Sequence, residues 1–249
     1  MNKILLFGGS GQLGKEIINS RLFDDIYSPK KEICDFKNKK SIDKLLNEYK
    51  PTHIINCAAL ARRKICEELP EEAISINIIG TSNLVQSILN FSKYNKKPRL
   101  LHISTDAVYK CDKGNYKEED PTIPICNYGW TKLAAECSIR LLDDFIILRT
   151  RFFNPSNIPF DDAAEDIFTS SIPIKKLVEY ISKLLFNKYI GVLNVGEKGK
   201  SDFENYKLFK PDLKRSNIRK IKKESNLPFC NNYSLSTKKF NHLILDNLN

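Results

Sequence analysis

The segment Tyr128-Gly129-Trp130-Thr131-Lys132 sets a phenol and an ammonium four residues apart. On a helix that spacing puts both on one face. An adjacent ammonium favours the phenolate and lowers a pKa that starts near ~10, so Tyr128 could act as general acid or base for a carbonyl/alcohol pair at neutral pH. Alone, Y-x-x-x-K occurs in many helices for purely structural reasons. Here it is preceded by Ile103-Ser104-Thr105-Asp106-Ala107-Val108-Tyr109, at the carboxyl end of an expected strand. In an open α/β sheet, ligands bind outside those strand ends. Thr105 would then donate a hydrogen bond to the carbonyl oxygen while Tyr128 supplies its proton.

A second constellation stands at the front of the chain. Gly8-Gly9-Ser10-Gly11-Gln12-Leu13-Gly14 follows an apolar run and opens a helical pattern. It satisfies G-x-G-x-x-G from Gly9 and G-x-x-G-x-x-G from Gly8. In the context of strand, turn and helix, this is a dinucleotide loop: the backbone approaches a pyrophosphate whose charge the helix N-terminus stabilises. Gly8, Ser10, Gly11, Gln12, Leu13 and Gly14 are its expected contacts. The usual acidic residue ending the second strand is replaced by Ser28-Pro29-Lys30-Lys31. An ammonium suits a ribose 2′-phosphate better than a hydroxyl, so Lys30 points to NADP(H) as the preferred cofactor, with NAD(H) as the alternative. The plainer reading is that both lysines face solvent.

These residues need a scaffold, and the first 150 residues alternate short β-rich runs with helix-periodic stretches, the pattern of a parallel sheet flanked by helices. Strands are expected near Lys3 to Phe7, Ile26 to Ser28, His53 to Asn56, Arg99 to Ile103 and Phe145 to Leu148. Helices are expected from about Gln12, Ser41, Glu71 and Tyr128. In the helix over 71–94, Ile74, Ile78, Ile79, Leu84, Val85 and Ile88 would cover one sheet face. The fold class is therefore α/β, a doubly wound Rossmann sheet over residues 1–150. Residues 151–249 would form a small substrate lobe interleaved with the sheet. In that lobe, 154–173 reads as a loop, Ile174 to Leu185 as a helix, Val192 to Val195 as a strand and the tail from Ser201 as basic and partly helical.

Composition bounds the remaining possibilities. With 249 residues, 41% hydrophobic and 28% charged, the chain has an ordinary globular make-up. No run reaches the ~18 apolar residues of a membrane span. The apolar stretch after Lys3 ends at Gly8, short of the ~7 residues of a signal h-region, which favours a cytoplasmic protein with no membrane attachment. Seven cysteines without a CxxC pair suggest reduced thiols, and neither they nor the three histidines suggest a metal site. His53 and His102 lie in strand-like runs and are expected in the core or behind the site. Much of the net charge of +10 lies between Lys207 and Lys223, without a nucleic-acid motif. No nucleic-acid partner is expected. A solvated lysine surface is the plain reading, a phosphate-bearing small substrate the sharper one.

Taken together, these stretches resemble the extended short-chain dehydrogenase/reductases, and among them the dTDP-4-dehydrorhamnose reductase group. The likeness rests on the glycine loop, Ile33-Cys34-Asp35-Phe36, Asn56-Cys57-Ala58-Ala59, Ser104-Thr105-Asp106, Tyr128 to Glu136 and Leu148-Arg149-Thr150, and it covers residues 1 to about 152. The resemblance implies a triad of Thr105, Tyr128 and Lys132, with Lys132 also holding the nicotinamide ribose. It implies that Asp35 and Phe36 border the adenine, and that Cys57, Ala58 and Ala59 pass along the middle of the cofactor. The implied reaction is hydride transfer to C4 of a 4-keto-6-deoxy sugar on a nucleoside diphosphate, for surface polysaccharide building blocks. A homodimer is left open.

Three departures bear on this. Ala107 stands where the group usually carries Tyr. Without a carboxylate at Ala107, the elimination chemistry of the related dehydratases lacks a proton carrier. The segment between Arg149 and Ile174 is shorter than the substrate region of the group, and Arg151, Phe152 and Asn154 are its expected substrate contacts. An epimerase or another reductase remains an alternative, as does a non-catalytic NADP-binding regulator, although a pure binding module has no chemical need for Thr105, Tyr128 and Lys132 together.

Overall fold

The computed structural model of the chain describes residues 2–245. In chain order the elements are β1 (Ile4–Phe7), α1 (Gln12–Asn19), β2 (Ile26–Tyr27), α2 (Lys39–Tyr49), β3 (His53–Asn56), α3 (Arg63–Glu68) and α4 (Pro70–Ala73). A π-helical stretch, Ile74–Gly80, then leads into α5 (Thr81–Phe91), followed by β4 (Arg99–Thr105), α6 (Asn127–Ile139) and β5 (Phe145–Thr150). The remainder comprises β6 (Phe152–Phe153), β7 (Asp162–Ala164), β8 (Phe168–Thr169), β9 (Ile172–Pro173), α7 (Ile174–Leu185) and β10 (Gly191–Val195). Last come β11 (Lys200–Ser201), α8 (Asp202–Lys207), β12 (Lys214–Ser216), α9 (Ile218–Ser225) and α10 (Lys238–Leu245).

Six strands form one parallel sheet in the order β2-β1-β3-β4-β5-β10. Successive side chains of a strand face opposite sides, and both sides are covered, so the strands read as unbroken apolar runs. Ile4, Leu6, Ile55, Leu101, Ile103, Ile146 and Leu148 join α1, α7 and Phe240 of α10 on one face. Leu5, Phe7, Ile54, Leu100 and Ile147 join α2, α5 and Ile139 of α6 on the other. The doubly wound sheet expected from the alternating pattern is therefore present. Helix α7 shows why the period decides the outcome: Ile174, Leu177, Val178, Ile181, Leu184 and Leu185 are all buried, each contributing about 1.5–3 kcal/mol.

The helix over 71–94 departs from expectation. Its π-helical stretch changes the phase of the side chains, and Ile74 and Ile79 emerge 44% and 48% exposed. Asn77 and Gly80 face inward instead. The Asn77 amide accepts from Leu60 N–H at 2.7 Å and donates to the Thr131 hydroxyl at 2.9 Å, tying the loop after β3 to α6.

Beyond β5 the chain both builds a lobe and returns to the sheet. The span 154–173, expected as loop, supplies β7, β8 and β9, which pair with β12, β11 and β6. Strand β10 then lies along β5, with Val195 level with Thr150. Two satellite clusters fill the lobe, one around Val108, Tyr109, Tyr116, Ile167, Tyr233 and Leu235, the other around Phe203, Tyr206 and Leu213. All seven cysteines are free thiols. Among the described residues no helix is long and apolar enough to cross a membrane.

Candidate active site

The direction of chain crossing reverses between β1 and β3, and a crevice opens at their carboxyl ends. Gly8 follows β1 and Cys57 follows β3. Gly8 has φ +87°, and a Cβ there would lie 2.6 Å from both Cys57 C and Ala58 N, so only glycine lets the two strand ends approach this closely. The cleft that results has a volume of ≈ 700 Å³. Of the expected cofactor contacts, Gly8, Ser10, Gly11, Lys30, Asp35, Phe36, Cys57, Ala58 and Ala59 line it.

Gln12, Leu13 and Gly14 do not line it with side chains. They form the first turn of α1, whose backbone N–H groups have no partner inside the helix. The Leu13 side chain belongs to the core, and Gly14 packs on the backbone of Gly8 and Gly9. The cleft also takes in Ser28 and Lys31, from the stretch that stands where the acidic residue is usual, and Lys37, which the sequence does not mark. Ser28 donates its hydroxyl to Leu6 O at 3.0 Å, fixing where the chain leaves β2. The Asp35 carboxylate accepts from Lys37 N–H at 3.0 Å, and Phe36 packs on Phe7 with ring centres 5.2 Å apart. The glycine loop and the open helix turn fit the pyrophosphate of a dinucleotide.

The catalytic candidates lie two strands further along. Strand β4 runs on past Ile103 to Thr105, which caps the single turn Asp106–Val108 by accepting from Ala107 N–H at 3.2 Å. Tyr128 stands in the first turn of α6, capped by Cys126. A Cβ on Gly129 would lie 2.3 Å from Ala107 O, so a glycine after Tyr128 is what lets α6 dock on the Thr105 turn. The Thr105 hydroxyl consequently reaches the phenol and acts to lower its pKa. Burial outweighs this and, with the Asp106 charge, pushes the phenol well above its ordinary value.

The lowering of the phenol by Lys132, expected from the four-residue spacing, is not what the geometry gives. The Lys132 Nζ lies 2.9 Å from His102 Nε2 instead, with both residues buried. Burial brings Lys132 down to about 8, opposed by Glu136 and Cys57, and the same desolvation with the Lys132 charge keeps His102 neutral. Cys57, pushed up to about 12 by burial, both lines the cofactor cleft and acts on Lys132, which links the cleft to the catalytic candidates.

Of the expected substrate contacts, Arg151 alone turns to this centre. It forms a bidentate pair with Asp106, at 2.6 and 3.2 Å, directly beside Thr105. Phe152 packs on the sheet core, and the Asn154 side-chain oxygen Oδ1 accepts from Ser156 N–H to close its own turn. Behind the site, Arg149 donates to both oxygens of Glu136 and to the Tyr109 hydroxyl, while Ser104 donates to Glu136 at 2.6 Å. This buried network clamps α6 to β4 and β5. Its members lie in the quoted stretches Ile103 to Tyr109, Tyr128 to Glu136 and Leu148-Arg149-Thr150, but no spacing in the sequence announces their contact.

Sheet order and the glycine crevice at the switch point together define a Rossmann-type α/β protein. The chain belongs to the RmlD substrate binding domain family, whose model matches residues 1–155. Among curated relatives it is 31% identical over 156 residues to the dTDP-4-dehydrorhamnose reductase of Aggregatibacter actinomycetemcomitans, covering 60% of this chain and 51% of that one. It is also 25% identical over 146 residues to methionine adenosyltransferase 2 subunit beta of Rattus norvegicus, covering 55% of this chain and 42% of that one. The chain thus spans about half the length of the curated relatives it matches. Among solved structures, dTDP-4-dehydrorhamnose reductase from Bacillus anthracis, a complex with NADP, superposes with a TM-score of 0.86 at 23% identity. That likeness of fold covers 97% of this chain and 93% of the other.

Proposed function

We propose that the protein is a cytoplasmic NAD(P)H-dependent reductase of a 4-keto-6-deoxy sugar nucleotide, with NADP(H) preferred. The observation that carries the reading is the docking of α6 on the turn after Thr105, where Gly129 packs on Ala107 O and sets Tyr128 beside Thr105 at the carboxyl end of β4, one helical turn from the buried Lys132. When bound, a reduced nicotinamide cofactor supplies the hydride. Thr105 donates a hydrogen bond to the substrate carbonyl oxygen, which polarises it. Tyr128, held fully protonated at neutral pH by its surroundings, delivers its proton to the same oxygen as alkoxide character develops. Lys132 presents an ammonium from the floor of the site, where it can hold a ribose hydroxyl. His102 accepts from that ammonium and fixes its direction. The glycine loop and the first turn of α1 hold the pyrophosphate, while Lys30 and Lys31 favour a 2′-phosphate. The family membership and the names of the relatives support the same substrate class.

The test is purified protein with NADPH and a panel of 4-keto-6-deoxy sugar nucleotides, followed by loss of nicotinamide absorbance. Turnover with a member of the panel is the expected result. NADPH binding without turnover on any ketone would instead favour a cofactor-binding regulator.

A further inference from the structure

Two guanidinium groups share one aromatic ring at the lobe side of the site. The carbon of the Arg151 guanidinium lies 4.6 Å from the centre of the Tyr233 ring. That of Arg63, on α3, lies 5.8 Å from the same centre and 4.6 Å from that of Phe229. Aromatic faces attract cations, but two like charges beside one ring repel each other, the more so where water is scarce. Arg151 is neutralised by its bidentate pair with Asp106. Among the described residues Arg63 has no such carboxylate: its Nη2 donates to Pro228 O at 2.7 Å, and its Nε is buried without an acceptor. The groups that act on it most strongly are the Tyr233 phenol, the Cys126 thiol and Arg151 itself. A half-buried guanidinium whose Nε is enclosed without an acceptor can take an anion at little further cost.

The position of this pair relates it to the candidate chemistry. Cys126 caps α6 two residues before Tyr128, and its thiol acts on that phenol as well as on Arg63. Asp106, the partner of Arg151, follows Thr105. Tyr233 is carried by the C-terminal strap that pairs Phe168 with Asn232 and Tyr116 with Leu235, so ring and guanidiniums converge from three separate parts of the chain.

We infer that Arg63 and Arg151, set about the Tyr233 ring, form an anion subsite that takes an oxyanion group of the substrate. This rests on the reductase reading for the word substrate, although not for the binding itself. The forked guanidinium suits a group offering two oxygens on one face, which a diphosphate and a sugar carboxylate both do. Arg63 supplies the uncompensated charge and Arg151 the second fork.

The experiment is calorimetric titration of wild type, Arg63→Gln and Arg63→Lys, with NADP⁺ present so that the glycine-loop cleft is filled. The NADP⁺ titration is read first and reports separately on the cofactor reading. Inorganic pyrophosphate, thymidine diphosphate, thymidine and glucuronate are then the probes. Arg63→Gln is expected to weaken an oxyanion probe by about tenfold or more, the loss of one charge-assisted contact, with thymidine unchanged. Arg63→Lys should restore only part of it, since it keeps charge but not the fork. A loss confined to pyrophosphate and thymidine diphosphate assigns the subsite to the diphosphate, and a loss confined to glucuronate assigns it to a ring carboxylate. Wild-type affinity of Arg63→Gln for every oxyanion overturns the inference, whatever the turnover assays give.

Discussion

Lys132 Nζ lies 2.9 Å from His102 Nε2, and the two side chains are closed off from solvent together. The imidazole must therefore carry its hydrogen on Nδ1, which is buried without a partner. A lysine brought from 10.5 to about 8 is ammonium in both folded and unfolded chains below pH 8. There its burial penalty is fully present, on the order of 3 kcal/mol at ~1.4 per unit. Between about 8 and 10.5 the unfolded chain binds the proton that the folded one has released, so this contribution rises toward zero with pH. Lys132→Met should consequently raise the melting temperature at pH 7, with a gain that shrinks toward pH 10. A gain independent of pH would show that Lys132 is not the titrating group.

The same depressed pKa bears on catalysis. If the ammonium form is the working one, kcat/KM should fall as pH rises through about 8. A profile flat to pH 10 would contradict this role.

Replacing Tyr128 by Phe removes the proton donor and leaves the cofactor cleft intact, because Tyr128 does not line it. Loss of kcat by about 10²–10⁴ is expected, with the NADPH dissociation constant within twofold of wild type. Thr105→Val should act in the same direction with a smaller loss, read from the same single-turnover traces.

Lys30 and Lys31 both line the cleft beside Ser28 and Pro29. Lys30→Ala combined with Lys31→Ala should weaken NADPH by roughly tenfold or more and NADH by much less, since charge-assisted bonds are each worth about 1.5–3 kcal/mol. Equal losses for both cofactors would contradict a 2′-phosphate contact.

The Arg149–Glu136 pair is almost fully enclosed, with side-chain exposures of 2% and 0%. Arg149→Met would strand the Glu136 carboxylate with only the Ser104 hydroxyl and the distant Arg140 guanidinium, which reaches it at 4.0 Å. A stability loss of about 3–5 kcal/mol is expected in urea unfolding. A loss under about 1 kcal/mol would mean that the network is not holding α6 in place.

Most of the sheet could be read from the sequence because its strands are short apolar runs between turn residues, and local pattern suffices for those. The glycine loop was legible for a related reason: Gly8 and its neighbours meet a backbone requirement that few other residues satisfy. Contacts between distant residues were not. The π-helical phase change at Ile74 leaves no trace in the hydrophobic period, so Ile74 and Ile79 read as core. The four-residue spacing of Tyr128 and Lys132 gives a shared helix face, but not which neighbour the ammonium chooses, and His102 on β4 is 30 residues away in sequence. Strands β7, β8 and β9 escape the pattern because two- and three-residue pairings depend on partners 31 to 52 residues on, or on β6, 20 residues back.

Strand β10 has a bearing on how this chain can be divided. Its five residues pair with β5 all along, and Leu193 and Val195 enter the same apolar layer as Ile4 and Leu6. A fragment stopping where the family match stops, at residue 155, would present Ile146 to Thr150 as an open hydrophobic edge, the kind of surface that recruits other chains. The two ends of the polypeptide are in this sense one folding unit, and an expression strategy that separates them should yield aggregate rather than a smaller soluble protein.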